Sequence, residues 1–439
     1  MNRPLFSLLL LYAAASLSAQ DTLSVELKQL RATAQNKNFE LLRSQAQVGE
    51  AQAELLKSRA AYLPNVEVSY TGTHTNNPLM AFGSKLNQER VQMEDFNPSK
   101  LNSPDGIFNF TTKVEVQQPL FNKDALYQKK AGEIRVEALK DYSTRSRQYV
   151  DLEVRNAYMQ LQMSYAMEKV LRQAYSTVLA NKAVVANYFK NGMVQKTELL
   201  EMEVRQSGIE SQLKSAQAQV ESASDYLFFV MGENPKGRIL KPSEELSLDN
   251  KLIAPTTLPL ERNDITSQQK ALSSFDYMIK ASQATLLPRI NAFGSFELYD
   301  DKPYQFDANG YLVGVQVSWN VFDAKKSHAQ SQILAAQKFS KSLELEQYLE
   351  KSSMELRKAY RQIDESMARV ELAEKALEQS EEAYRIRKNR YDQGLEKATD
   401  LLGAETMVSE KQLALVESTF HYNRAVAHLD FLLNEPITQ

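Results

Sequence analysis

The sequence predicts a helix-dominated fold built from two copies of one unit, in which two amphipathic strands precede a very long helical hairpin. Two landmarks recur in register along the chain. Gly192 and Gly394, each at the expected tip of a hairpin, lie 202 positions apart (394 − 192). Phe121 and Phe322, each at the end of an expected strand, lie 201 positions apart (322 − 121). Because chance rarely keeps two separate landmarks at one spacing, we interpret the chain as a duplication.

The helices are predicted from the positions of helix-breaking residues. No proline occurs between Pro119 and Pro235, and neither proline nor glycine occurs between Gly314 and Gly394. These stretches are rich in Ala, Glu, Gln, Lys, Arg and Leu, which favour helix. A helix over about 123–190 would be ~100 Å long at about 1.5 Å per residue. The apolar residues form narrow stripes, which is typical of helices that touch their neighbours sideways and keep a wet polar face.

Four strands are predicted from apolar residues that recur at every second position, over about 64–76, 107–120, 288–299 and 310–322. One face of each would be apolar and the other polar, which suits a transmembrane barrel with lipid outside and water inside. A soluble sandwich would show the same alternation. Aromatic side chains near the strand ends, Trp319 and Tyr311 among them, suggest membrane interfaces. Since four strands cannot close such a barrel, the protein must oligomerise, and three copies would give twelve strands.

The chain divides into four predicted segments. Residues 1–19 have one positive charge, a short apolar run and small residues at the end, which is the layout of a signal peptide, although a buried N-terminal helix is the alternative. The first repeat covers 20–235, a linker covers 236–262, and the second repeat covers 263–439. Each repeat begins with an entry helix and ends with its hairpin.

Composition excludes several classes of function. The net charge of −3 provides no basic surface for nucleic acid. The chain contains no cysteine, so it has neither disulfides nor a lipid attached to a leading cysteine. We find no metal-ligand spacing, no phosphate-binding glycine loop and no nucleophile motif. The sequence therefore predicts no catalytic residue, no metal and no cofactor.

The two expected tip turns are alike. The first reads Tyr-Phe-Lys-Asn-Gly-Met-Val-Gln-Lys-Thr-Glu over 188–198, and the second reads Arg-Tyr-Asp-Gln-Gly-Leu-Glu-Lys-Ala-Thr-Asp over 390–400. Each glycine is expected to end a helix in the left-handed conformation. Thr197 and Thr399 are expected to cap the next helix, and the acids that follow them, Glu198 and Asp400, suit the positive end of that helix.

With its signal peptide, strand pairs and duplicated tip turns, the chain resembles the TolC-type outer-membrane efflux channels over essentially its whole mature length. The resemblance implies an all-α-dominated membrane channel of a Gram-negative outer membrane. It would be a homotrimer whose 12-stranded transmembrane β-barrel, with four strands per protomer, is continued by a long periplasmic α-helical barrel. Its implied partners are outer-membrane lipid, a periplasmic adaptor and an inner-membrane pump. Its implied role is the exit duct of a tripartite efflux or type I secretion system.

The resemblance also implies roles for the tip residues. Carried over by position, Asp400 is the acid of the periplasmic gate, and Tyr391 ties the second hairpin to Glu198 on the first. The adaptor would dock on the tips, at Gly192, Met193, Val194, Gly394 and Leu395. Two positions depart from the family pattern: Gly403 stands where a second gate acid can occur, and Glu396 stands at a basic tie position. The gate would then be looser, or Lys397 would supply the missing cation.

Two other functions are compatible with parts of the sequence. A periplasmic coiled-coil adaptor or structural protein would also carry long helices, but adaptors have one hairpin flanked by soluble β-domains. An exported enzyme would need a site that the sequence does not show. The duplicated hairpins and strand pairs favour the duct.

Overall fold

The computed structural model describes residues 22–249 and 256–434, so the predicted signal peptide lies outside the described residues. Long helices dominate these ranges, and the first long helix has the predicted bounds. The helices are α1 (Leu27–Lys37), α2 (Phe39–Ala60), α3 (Pro78–Asn87), α4 (Pro98–Asn102), α5 (Lys123–Lys190), α6 (Lys196–Met231), α7 (Asn263–Ala284), α8 (Lys326–Asp392) and α9 (Ala398–Leu433).

Two sheets are formed by the described residues. The strands are β1 (Thr22–Val25), β2 (Asn65–Thr75), β3 (Ile107–Phe121), β4 (Ile239–Pro242), β5 (Arg289–Asp300) and β6 (Ala308–Ser318). A four-stranded antiparallel sheet has the order β2-β3-β5-β6, and its strands correspond to the four predicted from alternation. A second sheet, which no pattern in the sequence predicts, pairs β1 with β4 in parallel.

Spatially, the chain forms two compact units, and each unit takes residues from both halves of the sequence. The sheet unit consists of 45–142 and 263–348, which include the four-stranded sheet. The helical unit consists of the described parts of 1–44, 143–262 and 349–439, which include both hairpin tips. The duplication is therefore a property of the sequence, whereas each unit is built jointly by the two repeats.

Strand register sorts the side chains of the sheet onto two faces. Val114 lies opposite Val68 on one neighbouring strand and opposite Phe296 on the other. Phe296 in turn lies opposite Tyr311, so apolar side chains meet apolar side chains across all four strands. On this face Val68 is 67% exposed and Val313 is 71% exposed. The protomer thus leaves a continuous apolar sheet face uncovered.

The opposite face of the sheet is polar and charged. Lys113 lies opposite Ser69 on β2 and opposite Glu297 on β5. Its Nζ is 2.8 Å from the carboxylate of Glu115 and 3.6 Å from that of Glu297. Because side chains alternate strictly along a strand, these charges all lie away from the apolar face.

The segment between β2 and β3 contains two short helices, α3 and α4. Asn77 and Asn97 each precede a proline, and their side-chain oxygens accept hydrogen bonds from the backbone N–H groups of Met80 and Ser99. Asparagine caps a helix in this way, and proline fits its first position, so the two Asn-Pro pairs begin α3 and α4.

Buried Gln88 attaches this segment to the sheet. Its side-chain amide donates to the carbonyl oxygens of Phe108 and Asp300 at 2.9 and 3.1 Å. It therefore bridges β3 and β5 at one end of the sheet.

The helical unit has a core formed by α1, α5, α6 and the small parallel sheet. Its buried residues include Leu30, Val154, Leu161, Leu227 and Leu240, each 2% exposed or less. The four-residue strands β1 and β4 close this core, because Val25 and Leu240 both point into it. The strands lie outside the two hairpins, yet they help to fix where α5 and α6 pack.

Candidate functional site

The two hairpin tips, which carry most of the predicted site residues, end their first helices in the same way. In the first tip Gly192 has φ +70°, its N–H donates to Phe189 O, and the N–H of Met193 donates to Tyr188 O. In the second tip Gly394 has φ +74°, its N–H donates to Tyr391 O, and the N–H of Leu395 donates to Arg390 O. This paired pattern is the Schellman motif. The predicted left-handed glycines are confirmed.

The predicted threonine caps are wrong. Gln195 and Lys397 are the N-caps of α6 and α9, and neither makes a side-chain capping hydrogen bond. Thr197 and Thr399 are the second residues of their helices, two positions after the N-caps, so their hydroxyls cannot cap. The acids Glu198 and Asp400 do lie in the first turns, where a negative charge is favourable.

Both tips present open, partly apolar surface. Met193 is 71% exposed and Leu395 is 65% exposed. A Cβ built on Gly192 or Gly394 would meet no atom within 4 Å. Val194 instead packs against an apolar cluster beneath the tips. Four of the five predicted docking residues are therefore accessible, and the docking role remains a prediction.

The apolar cluster beneath the tips joins the two hairpins. Its buried members come from all four hairpin helices: Val185, Met202, Tyr391, Ala398 and Leu401. The rings of Tyr188 and Tyr391 are 6.1 Å apart between centroids. The first and second tips are thus packed on each other rather than held only by their own turns.

Tyr391 is buried at 6% exposure, and its hydroxyl has no hydrogen-bond partner among the described residues. Burial raises the pKa of this phenol to about 12, and the nearby Tyr188 and Glu198 add to the shift. Glu198 is therefore close to Tyr391, but the predicted hydrogen bond between them is not formed within the protomer. Its formation in an assembled protein remains a prediction.

Asp400 is exposed on the first turn of α9. It lines a groove of about 330 Å³ between α8 and α9, together with Arg387, Gly403 and Met407. In the described part of the chain its carboxylate takes part in no ion pair. Asp400 is therefore an exposed carboxylate at the second tip, and its gating role remains a prediction.

Glu396, which departs from the family pattern, is held by two arginines that the sequence analysis missed. Its carboxylate is 3.1 Å from Arg387 Nη1 and 2.8 Å from Arg390 Nε. Only 14% of the Glu396 side chain is exposed. The cation at this turn therefore comes from α8, not from Lys397 as we had suggested. The nine-residue spacing from Arg387 hides this pair, because the chain reverses between the two residues.

The aromatic residues predicted for the membrane interface lie on and just beyond β6. Tyr311 is 80% exposed on the apolar face of the sheet, and Trp319 is 62% exposed one residue after the strand. The indole Nε1 of Trp319 donates to Leu286 O at 2.9 Å. Their interfacial placement remains a prediction.

The sequence profile of the family described as outer membrane efflux protein matches residues 30–233 and 255–435. The chain belongs to the outer membrane efflux protein family. The resemblance stated from the tip turns and strand pairs is thereby confirmed. No curated protein sequence gives a significant match.

Solved structures share the fold of this efflux-family chain. The Campylobacter jejuni CmeC outer membrane channel is 16% identical, with a TM-score of 0.76, over 93% of this chain and 85% of that one. The outer membrane protein VceC from Vibrio cholerae is 17% identical, with a TM-score of 0.74, over 94% and 97%. CusC, whose crystal structures concern folding and transmembrane channel formation, is 15% identical, with a TM-score of 0.77, over 93% of this chain and 92% of that one. The predicted fold class, a helix-dominated channel protein with four strands per protomer, is confirmed.

Over residues 22–249 and 256–434, no three His, Asp or Glu side chains come together in a way that could hold a metal ion. Within the same ranges, no helix combines the length and the apolarity needed to cross a bilayer.

Proposed function

We propose that the protein is the outer-membrane exit duct of a tripartite export system, which passively conducts substrates that an inner-membrane pump delivers through a periplasmic adaptor. Of the two systems considered, the family description favours efflux over type I secretion. The observation that carries the proposal is the four-stranded sheet, with one uncovered apolar face and one charged face. Lipid outside and water inside would satisfy both faces at once.

The edges of the sheet support assembly into a trimer. In the described sheet, β2 and β6 each pair on one side only. Their outer backbone N–H and C=O groups need partners inside a bilayer, where no water can replace a missing hydrogen bond. Joining β6 of one copy to β2 of the next would satisfy both edges. Three copies would then close a ring of twelve strands, within the sizes known for such barrels.

The absence of natural cysteine permits a direct test of this assembly. Cysteines would be introduced in β2 at Ser69 and, one at a time, at successive positions of β6. We expect oxidation to give covalent trimers in detergent for the positions in register, and mass measurement to give three copies. Cysteines placed in β3, at the centre of the sheet, are the matched control and should not cross-link copies. A stable monomer without detergent would contradict the duct and favour a soluble periplasmic role.

The tips support the remaining parts of the proposal. They expose Met193 and Leu395 beside unhindered glycines, a surface suited to an adaptor. Asp400 from each copy would converge on the three-fold axis as a ring of carboxylates. Such a ring favours cations and suits a periplasmic gate.

A further inference from the structure

Glu405, which none of the proposed roles uses, is a buried acid in the helical unit. It lies on α9, two turns beyond the start of that helix, and is 4% exposed. Neither oxygen of its carboxylate has a hydrogen-bond partner among the described residues, and it makes no ion pair within 4 Å there. A buried carboxylate without partners is costly when ionised, so its protonation state matters to the packing around it.

Two other polar side chains share this layer. Asn181 on α5 and Arg205 on α6 are the groups that act on the Glu405 carboxyl, and each has a buried nitrogen without a partner in the described residues. Helical spacing places apolar layers on both sides, because these residues lie three or four positions from buried apolar ones on the same helices. The flanking residues are Val178, Val185, Met202, Ile209 and Leu401.

The other repeat shows what this layer lacks. Glu203 corresponds to Glu405 at the spacing of the two tip glycines (405 − 202), and its carboxylate is 3.4 Å from Lys182 Nζ. The position that corresponds to Lys182 in the second repeat is Tyr384 (182 + 202). The duplicated acid is therefore half exposed and paired with a cation in the first hairpin, but buried and without a lysine in the second.

No other charged or titratable group on the neighbouring helices replaces the missing lysine as a partner of Glu405 in the described residues. Arg205 on α6 favours ionisation, as does the amide of Asn181, but burial outweighs both and raises the pKa of Glu405 to about 7. Lys182 on α5 is engaged by Glu203. On α8, Arg387 holds Glu396, and Tyr384 belongs to the apolar cluster.

We propose that Glu405, with Arg205 and Asn181, forms a proton-sensitive lock on the packing of α9 against α5 and α6 near the tips. The neutral acid allows the polar layer to stay packed between its two apolar layers. Ionisation places a buried negative charge inside that layer, which Arg205 and Asn181 compensate only in part, and the charge is solvated when α9 moves away and water enters.

The direction of the pH effect follows from the shift. The pKa of Glu405 is about 7 in the packed state against a usual value of 4.5, so the packed state binds the proton more tightly. Its stabilisation is complete below the usual pKa and is lost as pH rises through about 7. In the proposed duct, alkaline pH would loosen the tips. Only this consequence rests on the proposed function.

Hydrogen exchange on the full-length protein in detergent tests the lock. Protection of the backbone amides of 398–409 would be measured at about pH 6 and about pH 8.5, corrected for the intrinsic rate of amide exchange. We expect wild-type protection to fall by about tenfold over this range. Glu405→Gln, which stays neutral, should show no such fall. Glu203→Gln is the matched control and should behave as the wild type.

A second variant separates the lock from ordinary packing. Arg205→Met removes the cation that favours ionisation, so the midpoint of the protection change should move to higher pH. A purely structural role for Arg205 would change the protection at every pH without moving the midpoint. Wild-type protection that is constant with pH, or a Glu405→Gln variant with the same fall, would overturn the proposal. Because exchange is measured without transport, neither result depends on whether the protein is a duct.

Discussion

Arg390 Nε lies 2.8 Å from the carboxylate of Glu396, across the turn at the tip of the second hairpin. The acid that departs from the family pattern is therefore neutralised within its own turn, with Arg387 as a second partner. Asp400, four residues further on, has no such partner in the described residues. Asp400 is thus an acid of the second tip whose charge is not neutralised within the turn.

Asp400→Asn is expected to weaken the cation preference of the channel in planar bilayers. A ring of three carboxylates on one axis would attract cations, and the amide would remove that field. Thermal stability should change by less than about 1 kcal/mol, because an exposed acid in the first turn of a helix contributes only that much through the helix dipole. Lower stability with unchanged ion selectivity would identify Asp400 as a residue of the helix start alone.

Tyr391→Phe is expected to raise conductance while leaving the protomer as stable as the wild type. The hydroxyl has no partner in the described residues, so its removal breaks no hydrogen bond within the protomer and relieves a buried polar group. Any conductance change must then come from a tie made on assembly. Conductance would be compared with thermal unfolding in detergent. An unaltered conductance would show that Tyr391 packs the tips without tying them.

Gly394→Trp is expected to abolish adaptor binding without dissociating the oligomer. The added ring would project into open space at the tip, although φ +74° adds strain for any other residue. Gly394→Ala carries this strain without the bulk, so it isolates the effect of size. Gly208→Trp places the same bulk on the open side of α6 and should bind adaptor normally. Binding would be measured by co-purification, and normal binding by Gly394→Trp would exclude this tip as a docking surface.

Val315→Arg is expected to impair insertion into the outer membrane, whereas Gln316→Arg is tolerated. Val315 is 63% exposed on the apolar face, and a cation near the middle of a bilayer costs roughly 2 to 4 kcal/mol there. Gln316, its neighbour in sequence, lies on the polar face opposite Asn291. The amounts of trimer in outer-membrane fractions would be compared. Equal behaviour of the two variants would mean that the faces are assigned incorrectly.

Arg155→Met is expected to destabilise the helical unit by about 3 to 5 kcal/mol. Arg155 lies 2.9 Å from the carboxylates of both Asp430 and Asp249, and the Asp430 side chain is only 4% exposed. Removing the cation takes one charged partner from this buried carboxylate, and breaking a buried ion pair on one side costs about that much. The double variant Arg155→Met, Asp430→Asn should recover part of the loss in thermal unfolding. If the double variant is less stable than the single one, the buried charge is not the cause.

Much of the fold could be predicted because its signals are long. The bounds of α5 follow from the proline-free run after Pro119 and from the tip glycine Gly192, and β6 follows from five alternating apolar residues. The tip glycines were predictable because a helix end of this kind needs a left-handed residue. Repetition strengthened each signal, since the same pattern occurred twice.

The missed features depend on contacts between distant residues. Strands β1 and β4 have four residues each, too few to show alternation, and they are fixed by pairing across more than two hundred positions. The unpartnered acid at Glu405 looks in sequence like any other charge on a long helix. Only the packing of α9 against Asn181 and Arg205 distinguishes it. The threonine caps failed because each turn is two residues shorter than its sequence suggested, so the helices begin two residues earlier.

The pairing of β3 with β5 joins the two repeats and can form only late in synthesis. Thr112 pairs with Leu298, which lies 186 positions later in the chain (298 − 112). Because the chain is made from its N-terminus, one edge of β3 stays unpaired until β5 of the second repeat has been made. Such edges recruit other strands, and pairings this distant in sequence form slowly. We therefore expect the first half of a newly made chain to be prone to aggregation until β5 is available, because the open edge of β3 can pair with strands of other chains.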